Sequence, residues 1–431
     1  MHNLIKSITF ERLFSWVVFL LFARVCMGNS CYSSDYFGYG ISDFLINYEG
    51  GFVRRGILGE FLWLIEQIHL FDVRIAIMVL CIVSSISILS ILLMVFKKEG
   101  WPLLLIPTGF CIGFTFLNLG GRRDFLSLLM TFCIFICFKK IITYTVRRYI
   151  WWGIFYILSV FQILMHEASF FYTFPILMLL HLKVNRISHD NVGKSLITCL
   201  LFFLPIVLTM LIVCIFKGDH NCADAIWASW QEVFTAYPSD MENVKMGAGV
   251  SALTWNAAET FRKHLWWSYI GIESPSYWRI IIVLCIFIAT YYLVTRINTI
   301  DMGVYKKKAM NSFLMSNVVL FQFIPMLPLF TILSCDWGRT IPYWVISSLF
   351  FYHIYKKENN YFPMFLSIIS HKIQTFISSS NILRSSYTYS LLVLLTPVPN
   401  CTAPFDYENT FQQLFINILL NKIHQIVTLA I

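Results

Sequence analysis

The stretch IAIMVLCIVSSISILSILLMVFKKEG, residues 75–100, decides the fold. From Ile75 to Phe96 there is no charged side chain, and Lys97 and Lys98 follow at once. At 1.5 Å per residue a helix of this length reaches about 33 Å, enough to cross a hydrocarbon core about 30 Å thick. Further apolar runs lie near 13–30, 101–119, 124–139, 149–165, 168–182, 195–216, 279–295, 311–333 and 341–355, with another around 385–398. The tail from Phe411 to Ile431 carries Lys422 and His424 and reads as interfacial or spanning. The pattern predicts an all-α, polytopic transmembrane bundle of about 10–12 helices, one integral membrane domain over residues 1–431.

Composition agrees. Of 431 residues, 58% are hydrophobic and 13% charged, against about 45–50% and about 25% in soluble domains. The net charge of +9 sits in short clusters between apolar runs, where it sets topology, so nucleic acid is not an expected partner. Lys6 and Arg12 precede an apolar core as in a signal peptide. Arg24 interrupts that core and no clean small-residue cleavage site follows, which predicts a retained first span. The twelve cysteines include no CxxC pair, and most sit inside apolar runs, so no metal is expected. Cys31, Cys222, Cys335 and Cys401 fall in loops, which leaves a disulfide among them open.

Every second connection is basic: Lys6/Arg12, Lys97/Lys98, Lys139/Lys140 with Arg147/Arg148, Lys183/Arg186/Lys194, Arg296 with Lys306–Lys308, and Lys356/Lys357. These mark the cytoplasmic side. The opposite side then receives a first loop, residues 31–74, with an interfacial helix, and a large loop, residues 217–278. Four polar stations land on that same side: GGFVRRG (Arg54, Arg55), NLGGRRDF (Arg122, Arg123, Asp124), MHEASFF (His166, Glu167) and SCDWGRT (Asp336, Arg339).

Ionisable groups at membrane depth are expensive, so they pair or line a cavity. Each station also has a plain structural reading. Arginines at helix ends snorkel to lipid phosphates. Arg123 with Asp124, and Asp336 with Arg339, can be local ion pairs. His166–Glu167 can be a hydrogen-bonded kink. Their coincidence on one face favours a shared site. Guanidinium forks match phosphate bidentately and keep their charge when desolvated, so the expected ligand is a polyprenyl-phosphate or polyprenyl-diphosphate lipid. A sugar on such a carrier is already activated. No nucleotide or cofactor motif is present: there is no GxxxxGK[ST], GxGxxG or HExxH. Transfer of that sugar needs a proton acceptor, for which Glu167 and His166 are first candidates and Asp336 the next, and positive charge for the departing diphosphate. The large loop holds six tryptophans, Trp266 and Trp267 among them. They read as a stacking platform for sugar rings or as interfacial anchors.

With its outer-face arginines, GGFVRRG, GRRD and DWGR stretches and one large loop, the chain resembles the O-antigen and capsular polysaccharide polymerases of the lipid-linked repeat-unit pathway. The likeness covers the architecture of the whole chain, and its motifs are short. It implies a metal-independent glycosyltransferase in the bacterial inner membrane with a periplasmic active site. The implied partners are an undecaprenyl-diphosphate-linked glycan donor and acceptor and membrane lipid, with room for a chain-length regulator protein. Arg54, Arg55, Arg122, Arg123, Asp124, Arg339, Trp266 and Trp267 would bind diphosphate and glycan. Two alternatives stand beside it. A GT-C-type glycosyltransferase uses a polyprenyl-monophosphate sugar and carries an acidic residue in the first outer loop, where Asp35, Asp43 and Glu49 qualify. A lipid-linked oligosaccharide flippase would place charges near the midplane and show repeats between halves. The alternation of basic loops makes a direct prediction. Cysteine-accessibility labelling should place positions near 50, 120, 166, 250 and 337 on one face, and labelling of 120 and 337 from opposite faces would refute a shared site.

Overall fold

The computed structural model describes residues 39–68, 72–106, 122–144, 148–188, 191–234, 246–255, 277–297, 312–331, 333, 337–357, 362–398 and 408–409. These form an all-α bundle: α1 (Gly56–Gln67), α2 (Val73–Glu99), α3 (Asp124–Thr143), α4 (Arg148–Met165), α5 (Ser169–Ser188), α6 (Val192–Ile215), α7 (His220–Phe234), α8 (Tyr277–Arg296), α9 (Ser312–Thr331), α10 (Trp337–Tyr355), α11 (Met364–Ser379) and α12 (Ser386–Leu395). Among the described residues the only strand pairing is a two-residue antiparallel one, Pro397–Val398 with Glu408–Asn409.

Among the described residues, five helices, α2, α3, α4, α6 and α9, are long and apolar enough to cross a membrane. The expected runs at 13–30 and 411–431, and most of 101–119, lie outside the described residues. Helix α11 was not among the expected spans, because Ser370, His371, Lys372 and Gln374 interrupt its apolar pattern. Those polar positions do not all face one way, since Ser370 and Gln374 are buried inside the bundle.

Local chemistry sets the helix ends. The Asp72 side chain caps α2 by accepting from the Arg74 amide at 2.8 Å, and Gly100 ends the helix at φ 70°. Asn191 caps α6, accepting from the Gly193 amide at 2.8 Å. Side-chain acceptors at such positions satisfy amides that have no partner within the helix.

Helix α3 is the hub, packed against α2, α4, α5 and α10. Aromatic pairs line its contact with α10: Phe132 meets Phe350 with ring centroids 4.8 Å apart, and Phe135 meets Phe351 at 5.7 Å. Helix α6 is the opposite case, with Leu196, Leu200, Leu204, Leu208, Leu211 and Ile215 all exposed, as suits a lipid-facing surface.

A second apolar core caps one end of the bundle. It joins Phe44, Leu45, Ile46 and Val53 of the first loop to Cys222, Ile226, Trp227 and Trp230 of α7, and to Val250 and Leu253. Thus the first loop and the start of the large loop fold together. Trp230 Nε1 donates to Leu45 O at 2.7 Å, and Asn47 Nδ2 donates to Ser229 Oγ at 2.9 Å. Trp227 and Trp230 are buried in this core and do not form an exposed platform. Cys222 carries a free thiol there.

At the opposite end the lysines do more than orient the chain. The buried Glu99 carboxylate lies 2.5 Å from His353 Nδ1 and 2.5 Å from Lys356 Nζ. Helix α10 is therefore held to α2 at this end.

Close packing within the cap rests on glycine. A Cβ added at Gly59 would stand 1.9 Å from Ile46 O and 2.8 Å from Phe44 O, both backbone atoms. Gly59→Ala should destabilise the cap by about 1–3 kcal/mol, the usual cost of overpacking. Thermal unfolding in detergent checks this, with Gly153→Ala, where a Cβ meets nothing within 4 Å, as the neutral comparison.

Candidate functional site

The cap brings three of the four polar stations, and Arg339 from the fourth, to one end of the bundle. Arg55 stands at the start of α1 with φ 67°, the one non-glycine residue with positive φ among the described residues. Such backbone is uncommon for a side chain of this size. Here it turns the guanidinium onto Glu167 in a fork, Nε to Oε2 at 2.8 Å and Nη2 to Oε1 at 2.5 Å. Nη1 lies 3.4 Å from Asp43 Oδ1. Arg54 stands beside it, 3.7 Å from Glu167 Oε1, and donates from Nη2 to Ala252 O at 3.3 Å.

Arg123 precedes α3 and is fully buried. Its Nε donates to Asp43 Oδ2 at 2.7 Å, and its Nη1 donates to Arg55 O at 2.9 Å and to Met165 O at 2.8 Å. Nη2 donates to Asp43 O. Met165 closes α4, so this guanidinium satisfies a helix-end carbonyl and meets the negative end of the helix dipole. Arg123 is thus committed to internal partners, which suits it to holding the loops in place and not to gripping a ligand.

Asp124 opens α3, where a carboxylate is favoured by the helix dipole. It does not pair with its neighbour Arg123. Its Oδ1 accepts from Arg339 Nη2 at 2.6 Å and Nε at 3.2 Å, and lies 3.4 Å from His166 Nε2. His166 Nε2 is also 3.3 Å from Arg339 Nη2 and 3.5 Å from the Tyr343 hydroxyl. Asp124 Oδ2 and His166 Nδ1 are buried with no hydrogen-bond partner among the described residues. Arg122 is partly exposed at the rim.

The two residues MHEASFF sets side by side are therefore in different settings. His166 turns inward to Asp124, Arg339 and Tyr343. Glu167 turns to the arginines of the first loop. Burial alone would raise the Glu167 pKa, but the charge and hydrogen bonds of Arg55, with Arg54 beside it, hold it well below the ordinary carboxylate value. Burial likewise pushes Asp43 up, and Arg123 and Arg55 more than offset it, so that its pKa also falls. A carboxylate held in its ionised form is a weak proton acceptor, which separates Glu167 from His166.

Asp336, Trp266 and Trp267 lie outside the described residues. Two residues not singled out for this site belong to it. Asp43 was one of three candidate acids in the first loop. Tyr343 lies four residues after Arg339, one helical turn, and that spacing was its only sequence signal. Among the described residues, five guanidinium groups (Arg54, Arg55, Arg122, Arg123, Arg339) and three carboxylates (Asp43, Asp124, Glu167) stand at this end, so this described set carries surplus positive charge. No group of metal-ligating side chains is found among the described residues.

A family model described as uncharacterised membrane protein Rv1490 matches residues 12–242. The matched stretch holds every residue of the cluster except Arg339 and Tyr343. No curated protein and no solved structure matches the chain.

The depressed carboxylates set a pH dependence with a defined sign. A group whose folded pKa lies below its unfolded value contributes stability above the unfolded value and loses it as pH falls through the folded one. For Asp43 and Glu167, with ordinary values of 3.8 and 4.5, stability of the cap should be level from neutral pH down to about 5 and fall below that. Thermal unfolding across pH 7 to 3 checks it, and Glu167→Gln should flatten part of the fall.

Proposed function

The chain belongs to the family of the uncharacterised membrane protein Rv1490, and we propose that it is a membrane glycosyltransferase acting on lipid-linked sugars at one face of the bilayer. The reading is a polymerase of undecaprenyl-diphosphate-linked repeat units, working at the periplasmic face of a bacterial inner membrane. One observation carries it: among the described residues, a surplus of guanidinium groups at one end of the bundle stands beside a carboxylate–histidine pair whose ring Nδ1 is unpartnered.

In this proposal Arg54 and Arg122, partly exposed at the rim, meet the diphosphate, and Arg55 adds its charge from behind Glu167. Asp124, fixed by Arg339, accepts from the Nε2–H of His166 and holds the ring in the tautomer that leaves Nδ1 free. The acceptor hydroxyl oxygen then bonds to the anomeric carbon, the bond from that carbon to the diphosphate oxygen breaks, and the hydroxyl proton passes to His166. The diphosphate departs as an anion and needs no acid. Glu167 acts as a positioning residue for Arg54 and Arg55.

A second reading is favoured by Asp43. This acid of the first loop sits inside the cluster, bonded to Arg123 and Arg55, and an acidic first-loop residue is what a GT-C-type enzyme with a polyprenyl-monophosphate donor carries. The flippase reading draws less support, since the charged groups gather at the bundle end.

The donor separates the two readings. Purified protein should elongate undecaprenyl-diphosphate-linked repeat units and leave a polyprenyl-monophosphate sugar unused. A deletion strain should show one repeat unit per lipopolysaccharide core. His166→Ala should lower the rate by about 10²–10⁴-fold, the typical cost of a lost general base. Glu167→Gln should cost less once normalised to folded protein. Near wild-type turnover by His166→Ala would remove the base assignment, and use of the monophosphate donor would favour the GT-C type.

A further inference from the structure

Beneath the Asp124–His166 pair the bundle interior is polar for about two helical turns. Gln162, one turn before His166 on α4, donates from Nε2 to Ser127 O at 2.9 Å and lies 2.8 Å from Thr131 Oγ1. Ser127 and Tyr172 share a hydroxyl–hydroxyl bond of 2.7 Å, and Thr131 and Thr173 one of 2.9 Å. Gln322 donates from Nε2 to Tyr172 O at 3.0 Å and lies 3.3 Å from Ser347 Oγ. All of these residues are buried. The network is continuous with the site, because Tyr172 stacks on Tyr343 with centroids 4.7 Å apart and the Tyr343 hydroxyl reaches His166.

The amide donors of this network are used, but several oxygens are not. Gln162 Oε1, Gln322 Oε1, Ser159 Oγ, Ser169 Oγ and Asp124 Oδ2 are buried and have no hydrogen-bond partner among the described residues. The two amide assignments follow from their neighbours: an Nε2 facing a backbone carbonyl must be the nitrogen, which leaves Oε1 as the acceptor. Buried polar atoms in folded proteins are paired almost without exception, with protein or with ordered water. Gln162 Oε1 and Gln322 Oε1 belong to side chains of this network, and Asp124 Oδ2 stands at its head. Ser159 and Ser169 lie three residues before Gln162 and three after His166. Together these unpaired oxygens call for a small hydrogen-bond donor. A cation is disfavoured by the Arg339 guanidinium 2.6 Å from Asp124. Water has the size, and the two donors per molecule, that the set requires.

We propose that an ordered chain of water molecules runs from the Asp124–His166 pair down to Gln322 and Ser347. Seven residues of α3 separate Asp124 from Thr131, so the chain extends about 10 Å into the bundle. Below Thr131 the contact of α3 with α10 becomes aromatic, through Phe132–Phe350 and Phe135–Phe351, and the proposed chain ends there. It solvates the unpaired Oδ2 of the buried Asp124 carboxylate. The inference is independent of the glycosyltransferase reading.

Radiolytic hydroxyl-radical labelling of the intact detergent-solubilised protein tests it, because radicals form at bound water. Tyr172 and Tyr343 should label faster than Tyr352 and Tyr355, tyrosines of comparable burial at the other end of the bundle. Equal or slower labelling would overturn the proposal. Ser159→Ala and Ser169→Ala give a second measurement, since each removes only an unpartnered hydroxyl. If the network is hydrated, each should lower the thermal midpoint and slow Tyr172 labelling. If it is dry, each removes an unsatisfied polar atom and should raise the midpoint, which would also overturn the proposal.

Discussion

The buried guanidinium of Arg123 is the constraint on which the rest of this end of the molecule depends. An unpaired charge there would be prohibitive, and Arg123 avoids that only by collecting Asp43, Arg55 O and Met165 O around itself. Those acceptors belong to two segments of the first loop and to the end of α4. Meeting them fixes where the first loop crosses the bundle. Arg55 is then placed to fork onto Glu167, and the cap core of Phe44, Leu45 and Ile46 is set against α7. A buried charge of this kind adds little net stability, yet it penalises every arrangement that leaves it unpaired. Its contribution is to select one arrangement of the loops.

The bilayer explains why the ions collect where they do. Helix α10 carries Arg339 near its first turn and His353 near its last, and each meets a carboxylate from another helix, Asp124 of α3 and Glu99 of α2. Between them the contact of α10 with α3 is aromatic. Charges at the ends and dispersion contacts in the middle are what a low-dielectric slab permits. The polar network around Gln162 is the exception, and it is uncharged.

Much of the architecture was legible because hydrophobic length alone reports a span. The runs at 75–96, 124–139, 149–165 and 195–216 became α2, α3, α4 and α6. The alternation of basic loops put the polar stations on one side, and that followed from counting lysines and arginines. Partner choice was not legible. Arg123 and Asp124 are adjacent in sequence, and on a helix N-terminus adjacent side chains diverge. Arg123 takes Asp43, eighty residues before it, and Asp124 takes Arg339, 215 residues after it. Periodicity carries no record of such pairings. Nor does composition separate a tryptophan that packs from one that faces outward: Trp227 and Trp230 serve the cap core.

The pairings also divide the arginines into two kinds, although the sequence presents them as equivalent doublets. Arg123 and Arg339 are buried against carboxylates and carbonyls, so their charge is already answered inside the protein. Arg54 keeps 25% of its side chain exposed, and its contact to Glu167 is a loose 3.7 Å. In the first doublet Arg55 is therefore the one committed to the closer internal contacts, and Arg54 stands nearer the rim. Arg123 and Arg339 are thus fixed in place, because their desolvation is offset by partners within the fold, whereas the looser contact of Arg54 to Glu167 leaves that side chain more room.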